Sequence, residues 1–445
     1  MLAVLTANYR KGNNMWRWVR NRYKDKLNTV SPSLCLAKWT QSNIYLGTHT
    51  THSCHHCPTH TISLEDVKKN LSSLHNTKEK IEQRKLMLSG VRPDECNYCW
   101  QVEDSGTSIS DRITKSFSTW SRKYFNKIIK AGANGINPTY IEISFDNRCN
   151  LRCSYCGPTF SSKWSEEIKR LGQWPKEIDC YAEVKNTSHK EHNPYTEAFW
   201  KWLPDIYQEL HTLRVTGGEP LLSKNTFLLL DYVKENPNKN LTLGINSNLA
   251  VPDKNIDAFI EKAKQIKTKK LIIHASCDSY GSSAEYARHG LNYDKWLNNC
   301  QKILKELPNA QIDVMVTYNV FSVTKFLMFL QDIKRINSKK FFVFPRIKVS
   351  ISYLRTPNHL VPWILPTEYE SYIVDQIAFM KSNKFTSTEI NQLERVLQLI
   401  ISKRDEDKSH LRKCFNMFVT EHDRRRNTSF AESFPEMKEF LDLCK

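Results

Sequence analysis

The chain has 445 residues, which is enough for two or three domains of about 150 residues each. Its 40% hydrophobic and 25% charged residues are typical of a globular protein. No stretch reaches the roughly 18 uncharged apolar residues that a membrane span needs, and the first residues, MLAVLTANYRKGNN, lack a secretory signal pattern. We therefore expect a cytoplasmic protein without a membrane partner.

The charge balance is strongly basic, with 65 lysines and arginines against 47 acidic residues and a formal net charge of +18. Such an excess favours anionic partners, nucleic acid among them. The basic residues are nevertheless spread along the chain, with local clusters only in the first 30 residues and at Arg424, Arg425 and Arg426. A lysine-rich surface is the simpler explanation, so charge alone does not identify a partner.

Thirteen cysteines are unusual for a protein without a secretion signal, and closely spaced thiols then indicate metal ligands rather than disulfides. Eight of them form groups in the sequence: Cys35, Cys54 with Cys57, Cys96 with Cys99, and Cys149 with Cys153 and Cys156. The other five stand alone, and we expect most of them to be small buried side chains: Cys180, Cys277, Cys300, Cys414 and Cys444.

The first 135 residues combine a basic aromatic start, a stretch rich in cysteine and histidine, a helical pattern near Leu64–Leu88 and a further cysteine pair. From about Thr139 the sequence pattern changes, and predicted strands alternate with predicted amphipathic helices. The predicted strands are 139–145, 212–217, 241–247, 270–276, 311–318 and 346–354. This alternation predicts six β/α units around a parallel sheet. After residue 357 the pattern is mostly helical.

We therefore predict an α/β fold of three parts: a small cysteine-rich domain over residues 1–135, a partial (β/α)6 TIM-like barrel over 136–356, and a helical extension over 357–445. The polar segment 174–194 fits no β/α unit and reads as an insertion at one rim of the barrel. In such barrels the chemistry lies at the carboxyl ends of the strands. The motifs described next all follow predicted strands.

The strongest motif follows the first predicted strand, where Cys149, Cys153 and Cys156 have the spacing C-x3-C-x2-C. Three thiolates at this spacing can ligate three irons of a cubane cluster and leave the fourth iron open. A [4Fe–4S] cluster that only transfers electrons normally has four cysteine ligands, so an open iron indicates that a further ligand binds there. The alternative is a zinc site completed by a distant histidine.

This motif, with the aromatic Tyr155 before its last cysteine, resembles the signature of the radical S-adenosylmethionine (radical SAM) superfamily. Three further matches follow in order. Gly217, Gly218 and Glu219 resemble the family's GGEP motif, Asn248 resembles the asparagine that closes the third strand, and Ser276 with Arg288 resembles the pair that holds polar groups of the cofactor.

The resemblance implies a [4Fe–4S] cluster on the three cysteines, with S-adenosylmethionine bound at its open iron. In the family, an electron from the cluster breaks the sulfonium C–S bond, and the resulting 5′-deoxyadenosyl radical takes a hydrogen atom from the substrate. The protein supplies position and excludes water. Residues that act directly on the substrate are not identified by these motifs.

The upstream segment Arg92-Pro-Asp-Glu-Cys96-x2-Cys99-Trp100 resembles radical SAM proteins that carry a twitch (abbreviated, SPASM-like) domain, in a largely uncharacterised and often phage-encoded subgroup. In this subgroup the cysteine-rich part precedes the barrel, whereas it follows the barrel in better-known members. The resemblance implies a second, auxiliary [4Fe–4S] cluster on Cys35, Cys54, Cys96 and Cys99, with Cys57 as a fifth thiol.

A zinc site on Cys54, Cys57, Cys96 and Cys99 is the alternative, because paired C-x2-C motifs are ordinary zinc ligands. The neighbouring histidines are expected to be solvated or to support the ligands rather than to bind metal: His49, His52, His55, His56 and His60.

The resemblance implies a radical SAM enzyme that modifies a peptide or protein, with an electron donor such as flavodoxin or ferredoxin, because families with an auxiliary cluster of this type often act on peptides. A second hypothesis keeps the chemistry but places it on a nucleic acid or nucleobase, because of the +18 charge. A third, non-enzymatic hypothesis is a zinc-stabilised nucleic-acid-binding protein.

Overall fold

The computed structural model describes residues 19–106, 109–178, 192–338 and 345–445. The chain forms two compact units, the first made of Met1–Ser144 with Lys190–Arg214 and the second of Phe145–His189 with Val215–Lys445. Residues 357–445, predicted as a separate extension, thus lie in the second unit. The domain boundaries 1–135, 136–356 and 357–445 remain predictions, and most of the predicted insertion 174–194, including Cys180, lies outside the described residues.

The first unit contains four neighbouring strands in the order β4-β1-β2-β3, namely β1 (Gln41–Tyr45), β2 (Thr50–His52), β3 (His60–Thr61) and β4 (Tyr140–Ser144). Strand β1 pairs parallel with β4, and Ile44 lies opposite Ile143. Strands β1–β3 were not predicted from the sequence, because their polar residues show no clear alternation.

Short helices complete this unit: 19–28, Ala37–Thr40, Leu64–Lys69, Lys78–Leu88, Asn97–Asp104, Asp111–Phe117, Thr119–Arg122, Phe125–Ala131 and Pro194–Ile206. The helical pattern predicted near Leu64–Leu88 is thus interrupted. Ser63 and Thr77 accept hydrogen bonds from the backbone N–H groups of Asp66 and Lys80, and so cap the two resulting helices.

The second unit is built on a parallel sheet with the strand order β6-β7-β8-β10-β11. Its strands are β6 (Thr212–Thr216, whose last residues belong to this unit), β7 (Asn238–Ser247), β8 (Thr268–Ser276), β10 (Ala310–Tyr318) and β11 (Ile347–Tyr353). A separate antiparallel pair joins β5 (Arg152–Cys153) to β9 (Arg288–His289). All six strands predicted for the barrel are therefore present, and the predicted α/β fold class is confirmed.

Helices follow the strands and continue to the end of the chain: Ser162–Leu171, Lys224–Glu235, Asp253–Ala263, Gly281–Ala287, Tyr293–Glu306, Phe326–Asn337, Glu370–Ser382, Ser387–Ser402, Ser409–Arg426, Phe430–Ser433 and Lys438–Leu443. They are amphipathic, as the sequence predicts. In Tyr293–Glu306, for example, Trp296, Cys300 and Ile303 repeat at helical spacing and are fully buried.

Among the described residues, no helix combines the length and the apolar character required to cross a lipid bilayer.

Candidate functional site

A cavity of about 140 Å³ opens in the second unit at the carboxyl ends of three strands. Parallel strands bring their carboxyl ends to one edge of a sheet, so residues that are distant in sequence meet there. Gly217 follows β6, Asn248 follows β7, and Ser276 ends β8. The cavity is lined by these three residues and by Cys149, Cys153, Tyr155, Cys156, Gly218 and Arg288, among others. Nine of the ten residues predicted for this site thus surround one space.

The loop that carries the three cysteines rests on the glycine turn after β6. Gly217 has a φ of 128°, a backbone conformation that residues with a Cβ atom rarely adopt. Gly218 N donates to the Asp146 carbonyl oxygen at 3.2 Å. A Cβ atom on Gly218 would clash with the backbone of Asn147 and Arg148. Glycine is therefore required at position 218 by the cysteine loop itself, in addition to any ligand in the cavity.

Side chains of the following helix hold the cysteine backbone in place. Cys149 N donates to Ser162 Oγ at 3.2 Å, and Trp164 Nε1 donates to the Cys153 carbonyl oxygen at 3.0 Å. Ser161 Oγ donates to the Leu151 carbonyl oxygen at 2.7 Å. The loop is thus positioned by hydrogen bonds at Cys149, Leu151 and Cys153.

The three thiols are chemically suited to a metal. Burial, reinforced by the neighbouring Cys153, raises the pKa of Cys149 to about 12. Burial also raises the pKa of Cys153 and of Cys156. Such thiols stay protonated unless a cation ligates them. Among the described residues, no fourth cysteine lines this cavity. The residues therefore fit a [4Fe–4S] cluster with three thiolate ligands and one open iron.

Arg288 is held by an acidic residue that sequence reasoning missed. Its Nε and Nη2 donate to the two carboxylate oxygens of Asp278 at 2.7 and 3.0 Å, and Tyr155 Oη donates to the same carboxylate at 2.5 Å. Burial acts to lower the pKa of Arg288, but the Asp278 carboxylate raises it well above its usual value. Pairing of β5 with β9 places Arg288 opposite Cys153, and its Nη1 lies 3.8 Å from that sulfur. A cofactor acceptor group would therefore meet a pre-oriented guanidinium.

Glu219 is the predicted residue that does not line the cavity in the described part of the chain. Its carboxylate accepts hydrogen bonds from Leu221 N at 3.0 Å, Ser247 Oγ at 2.9 Å and Asn248 N at 2.6 Å. These bonds tie the end of β6 to the end of β7. Burial raises the pKa of Glu219 to about 7, although the three hydrogen bonds act to lower it.

The basic cluster at Arg424–Arg426 is largely occupied inside the second unit. Arg425 donates to the carbonyl oxygens of Gly172 and Gln173, both at 2.8 Å. Arg426 donates to the Arg152 carbonyl oxygen at 2.9 Å and forms a buried ion pair with Glu167. Helix Ser409–Arg426 thus supports the residue immediately before Cys153, and two of the three arginines are not available to a nucleic acid.

The five grouped cysteines of the first unit surround a second, smaller cavity of about 20 Å³. Four of them are buried, and Cys54 is half-buried: Cys35, Cys54, Cys57, Cys96 and Cys99. The sulfur atoms of Cys57 and Cys96 are 3.8 Å apart. Burial raises the pKa of Cys35, and it raises the pKa of Cys99 to about 12. The chain therefore brings both halves of the predicted auxiliary site together, with the fifth thiol among them.

Two lysines reach this second cavity, and neither was identified from the sequence. Lys38 Nζ donates to Cys57 Sγ at 3.4 Å and forms an ion pair with Glu95. Lys115 Nζ donates to Cys54 Sγ at 3.0 Å. The sequence gives no indication that these lysines contact cysteines, because each lies far along the chain from the thiol that it contacts.

The histidines near this cavity have partners other than a metal. His56 Nε2 lies 2.9 Å from Asp111, His60 Nε2 lies 2.8 Å from Glu95, and His52 Nδ1 lies 2.5 Å from the Cys54 carbonyl oxygen. Cys54, His55 and His56 also place possible ligand atoms within 4.8 Å of one another, so supporting roles for the histidines stay a prediction. The lone cysteines are buried as expected at Cys277, Cys300, Cys414 and Cys444.

Parts of the chain are similar in sequence to known proteins. Residues 143–333 match the model of the Radical SAM superfamily. The GTP 3′,8-cyclase of Desulforamulus reducens is 26% identical over 191 residues, which are 41% of this chain and 48% of that protein. The GTP 3′,8-cyclase of Syntrophomonas wolfei is 28% identical over 153 residues, which are 32% of this chain and 35% of that protein. The matched part thus spans about half or less of these curated relatives.

Solved structures give weaker similarity. Streptococcus suis SuiB bound to S-adenosylmethionine has a TM-score of 0.37 and 13% identity, with 67% of this chain and 62% of that chain covered. TYW1 with a lysine-pyruvate adduct has a TM-score of 0.29 and 15% identity, with 53% of this chain and 70% of that chain covered.

The raised pKa of Glu219 predicts a pH-dependent stability. Because the folded protein binds this proton more tightly than the unfolded chain does, stability conferred by the protonated carboxyl is full below pH about 4.5 and falls until pH about 7. The loss amounts to at most about 3 kcal/mol. The variant Glu219→Gln should show a flatter dependence of urea unfolding midpoints between pH 5 and 8. The exposed Glu235→Gln is the matched control, and equal slopes in all three proteins would contradict the assignment.

Proposed function

Residues 143–333 belong to the Radical SAM superfamily, and we propose that the chain is an enzyme that cleaves S-adenosylmethionine reductively and abstracts a hydrogen atom from a substrate. One observation carries this proposal. Cys149, Cys153 and Cys156 line the same cavity as the glycine turn, Asn248, Ser276 and Arg288. When bound, the cluster and the cofactor supply the electron transfer and the C–S bond cleavage.

The residues of the chain have separate tasks in this proposal. The three cysteines bind the cluster, and the glycine turn at Gly217 and Gly218 keeps the cysteine loop at the strand ends. Asn248 and Ser276 offer polar groups to the cofactor from the cavity wall, and the Tyr155 ring lines the same wall while its hydroxyl donates to Asp278. Arg288, oriented by Asp278, supplies fixed N–H donors for an acceptor group. Glu219 positions the backbone of Asn248.

As substrate we propose a peptide or protein. The support is the resemblance of the cysteine-rich first unit to twitch or SPASM-like domains, whose families often act on peptides. An electron donor such as flavodoxin or ferredoxin would be required.

A nucleotide or nucleobase is the second candidate substrate. It is favoured by the relatives, which are named GTP 3′,8-cyclases and are 26% and 28% identical to this chain over the matched part. The +18 net charge would also favour an anionic substrate.

For the first unit we propose an auxiliary [4Fe–4S] cluster on Cys35, Cys54, Cys96 and Cys99. The support is that these thiols line one cavity together with two lysines, which would offset the negative charge of ligating thiolates. Four thiolates complete a cluster without an open iron, so its role would be electron transfer or structural support.

Zinc is the second candidate for this cavity, and one distance favours it. Two thiolates around a tetrahedral zinc at about 2.3 Å lie roughly 3.8 Å apart. The sulfur atoms of Cys57 and Cys96 are separated by 3.8 Å. Cys57 would then be a ligand rather than a fifth thiol.

The proposed chemistry predicts the effect of removing a cluster ligand. Changing Cys149, Cys153 or Cys156 to Ala should reduce the yield of 5′-deoxyadenosine from S-adenosylmethionine and dithionite to background, because the cluster loses a thiolate. The control is Cys300→Ala, a buried cysteine that does not line the cavity. Parental yields from any of the three ligand variants would refute the assignment.

The substrate proposal predicts where the abstracted hydrogen originates. Peptides prepared from cells grown in deuterated medium should transfer deuterium to 5′-deoxyadenosine in an anaerobic reaction, whereas deuterated GTP and RNA should not. The Cys153→Ala variant measures the background. Transfer from GTP or RNA alone would instead establish the nucleotide alternative.

The auxiliary site predicts a metal count. A triple variant with Cys149, Cys153 and Cys156 changed to Ala should retain about four irons per chain after anaerobic reconstitution, because the first unit keeps its own thiols. Metal and sulfide analysis measures this directly. One zinc per chain without iron would replace the auxiliary cluster by a zinc site.

A further inference from the structure

The two lysines beside the cysteines of the first unit differ in what else they contact. Lys38 is buried, with 3% of its side chain exposed, and its ion pair with the buried Glu95 leaves the two side chains together without net charge. Lys115 donates to a thiol and to an imidazole, Cys54 Sγ at 3.0 Å and His55 Nδ1 at 3.2 Å. The positive charge at Cys54 is therefore less directly offset by a carboxylate than the charge at Cys57.

The position of Lys115 is fixed by the local fold. It lies in the last turn of helix Asp111–Phe117, which begins at a cap where Ser110 Oγ accepts a hydrogen bond from Ile113 N. In the same helix Arg112 is held by both carboxylate oxygens of Glu103, at 2.7 and 2.8 Å. The arginine charge is thus neutralised. Asp111, which contacts His56, also interacts electrostatically with Lys115, but at longer range than Glu95 does with Lys38. Lys115 is the cation of this helix that donates to a cysteine sulfur.

We propose that Lys115 is a positioning and charge-compensating residue for the auxiliary iron–sulfur centre, and that it raises the reduction potential of this centre. The inference rests on the proposed auxiliary cluster. Reduction adds one electron to a group that four thiolates already make anionic. An N–H group that donates to a ligand sulfur, and a positive charge close to it, stabilise the reduced form more than the oxidised form.

Lys38 should have a smaller electrostatic effect on the centre than Lys115. Since Glu95 accompanies it, replacing both residues by neutral ones removes a charge pair rather than a charge. The long-range electrostatic effect on the centre should then be small, although the hydrogen bond to Cys57 is lost. The two lysines are therefore not equivalent, and this difference can be measured.

The experiment uses the triple variant without Cys149, Cys153 and Cys156, so that the auxiliary centre is the iron–sulfur centre observed. Its midpoint potential is measured by an electron paramagnetic resonance titration with dithionite and redox mediators. Lys115→Met should lower the midpoint potential, and Lys115→Arg should stay close to the parent because the charge remains. The double variant Lys38→Met with Glu95→Gln should shift it less than Lys115→Met does. Lys78→Met, an exposed lysine with 83% of its side chain accessible, should leave it unchanged.

Iron content and midpoint potential together separate failure of the inference from failure of the auxiliary cluster. Parental iron content and parental potential in Lys115→Met would overturn the inference while leaving the auxiliary cluster intact. A triple variant that binds zinc and no iron would overturn the auxiliary cluster and the inference together. If Lys115→Met loses its iron, Lys115→Gln is measured in its place. Loss of iron from both neutral variants with retention in Lys115→Arg would support the role of the charge, whereas loss in Lys115→Arg as well would overturn it.

Discussion

The close contact of two backbone segments is the constraint on which the main cavity depends. The glycine turn after β6 donates from Gly218 N and Glu219 N to the carbonyl oxygens of Asp146 and Arg148. No side chain fits between these segments at position 218. The cysteine loop is therefore fixed relative to the strand ends by main-chain geometry, and the side chains from β7 and β8 can converge on the same space. A substitution at this contact would move the cysteines and the cavity wall together.

Local sequence patterns predicted the regular elements of the second unit well, since alternation and helical periodicity depend on neighbouring residues. The signature spacing of Cys149, Cys153 and Cys156 also identified the cavity, because three ligands lie within eight residues. Pairings over long sequence separations could not be predicted in this way. Arg426 contacts Glu167 across 259 positions, and no local pattern records such a partner. Asp278 had a weak signal, as an acidic residue just after the end of β8, but only its contacts reveal that it holds Arg288.

The two cysteine sites differ in their electrostatic surroundings, and this difference fits different tasks. At the main cavity the arginine near Cys153 is paired with Asp278, so much of its charge is neutralised. At the smaller cavity Lys38 is likewise paired with Glu95, but Lys115 donates to Cys54 Sγ at 3.0 Å without such a direct carboxylate partner in the described part of the chain. A centre that must deliver an electron to a difficult substrate benefits from a low potential, whereas added positive charge favours retention of an electron. For the two clusters proposed above, these surroundings would favour a donor role at the main site and an acceptor or structural role at the smaller one.

The buried cations of the first unit also link its stability to metal binding. Burial raises the pKa of Cys35 and of Cys99, so these thiols are neutral in the absence of a metal. The pKa of Cys54 is raised as well, so Lys115 then lies beside a neutral sulfur atom, from which a buried ammonium group gains little. Lys38 differs, because it keeps its ion pair with Glu95. Metal binding would convert the thiols to thiolates and would place a negative charge in direct contact with Lys115, as Glu95 already does for Lys38. With the proposed metal in this cavity, folding of the unit and loading of its cysteines would be coupled, because the same negative charges would satisfy both the metal and Lys115.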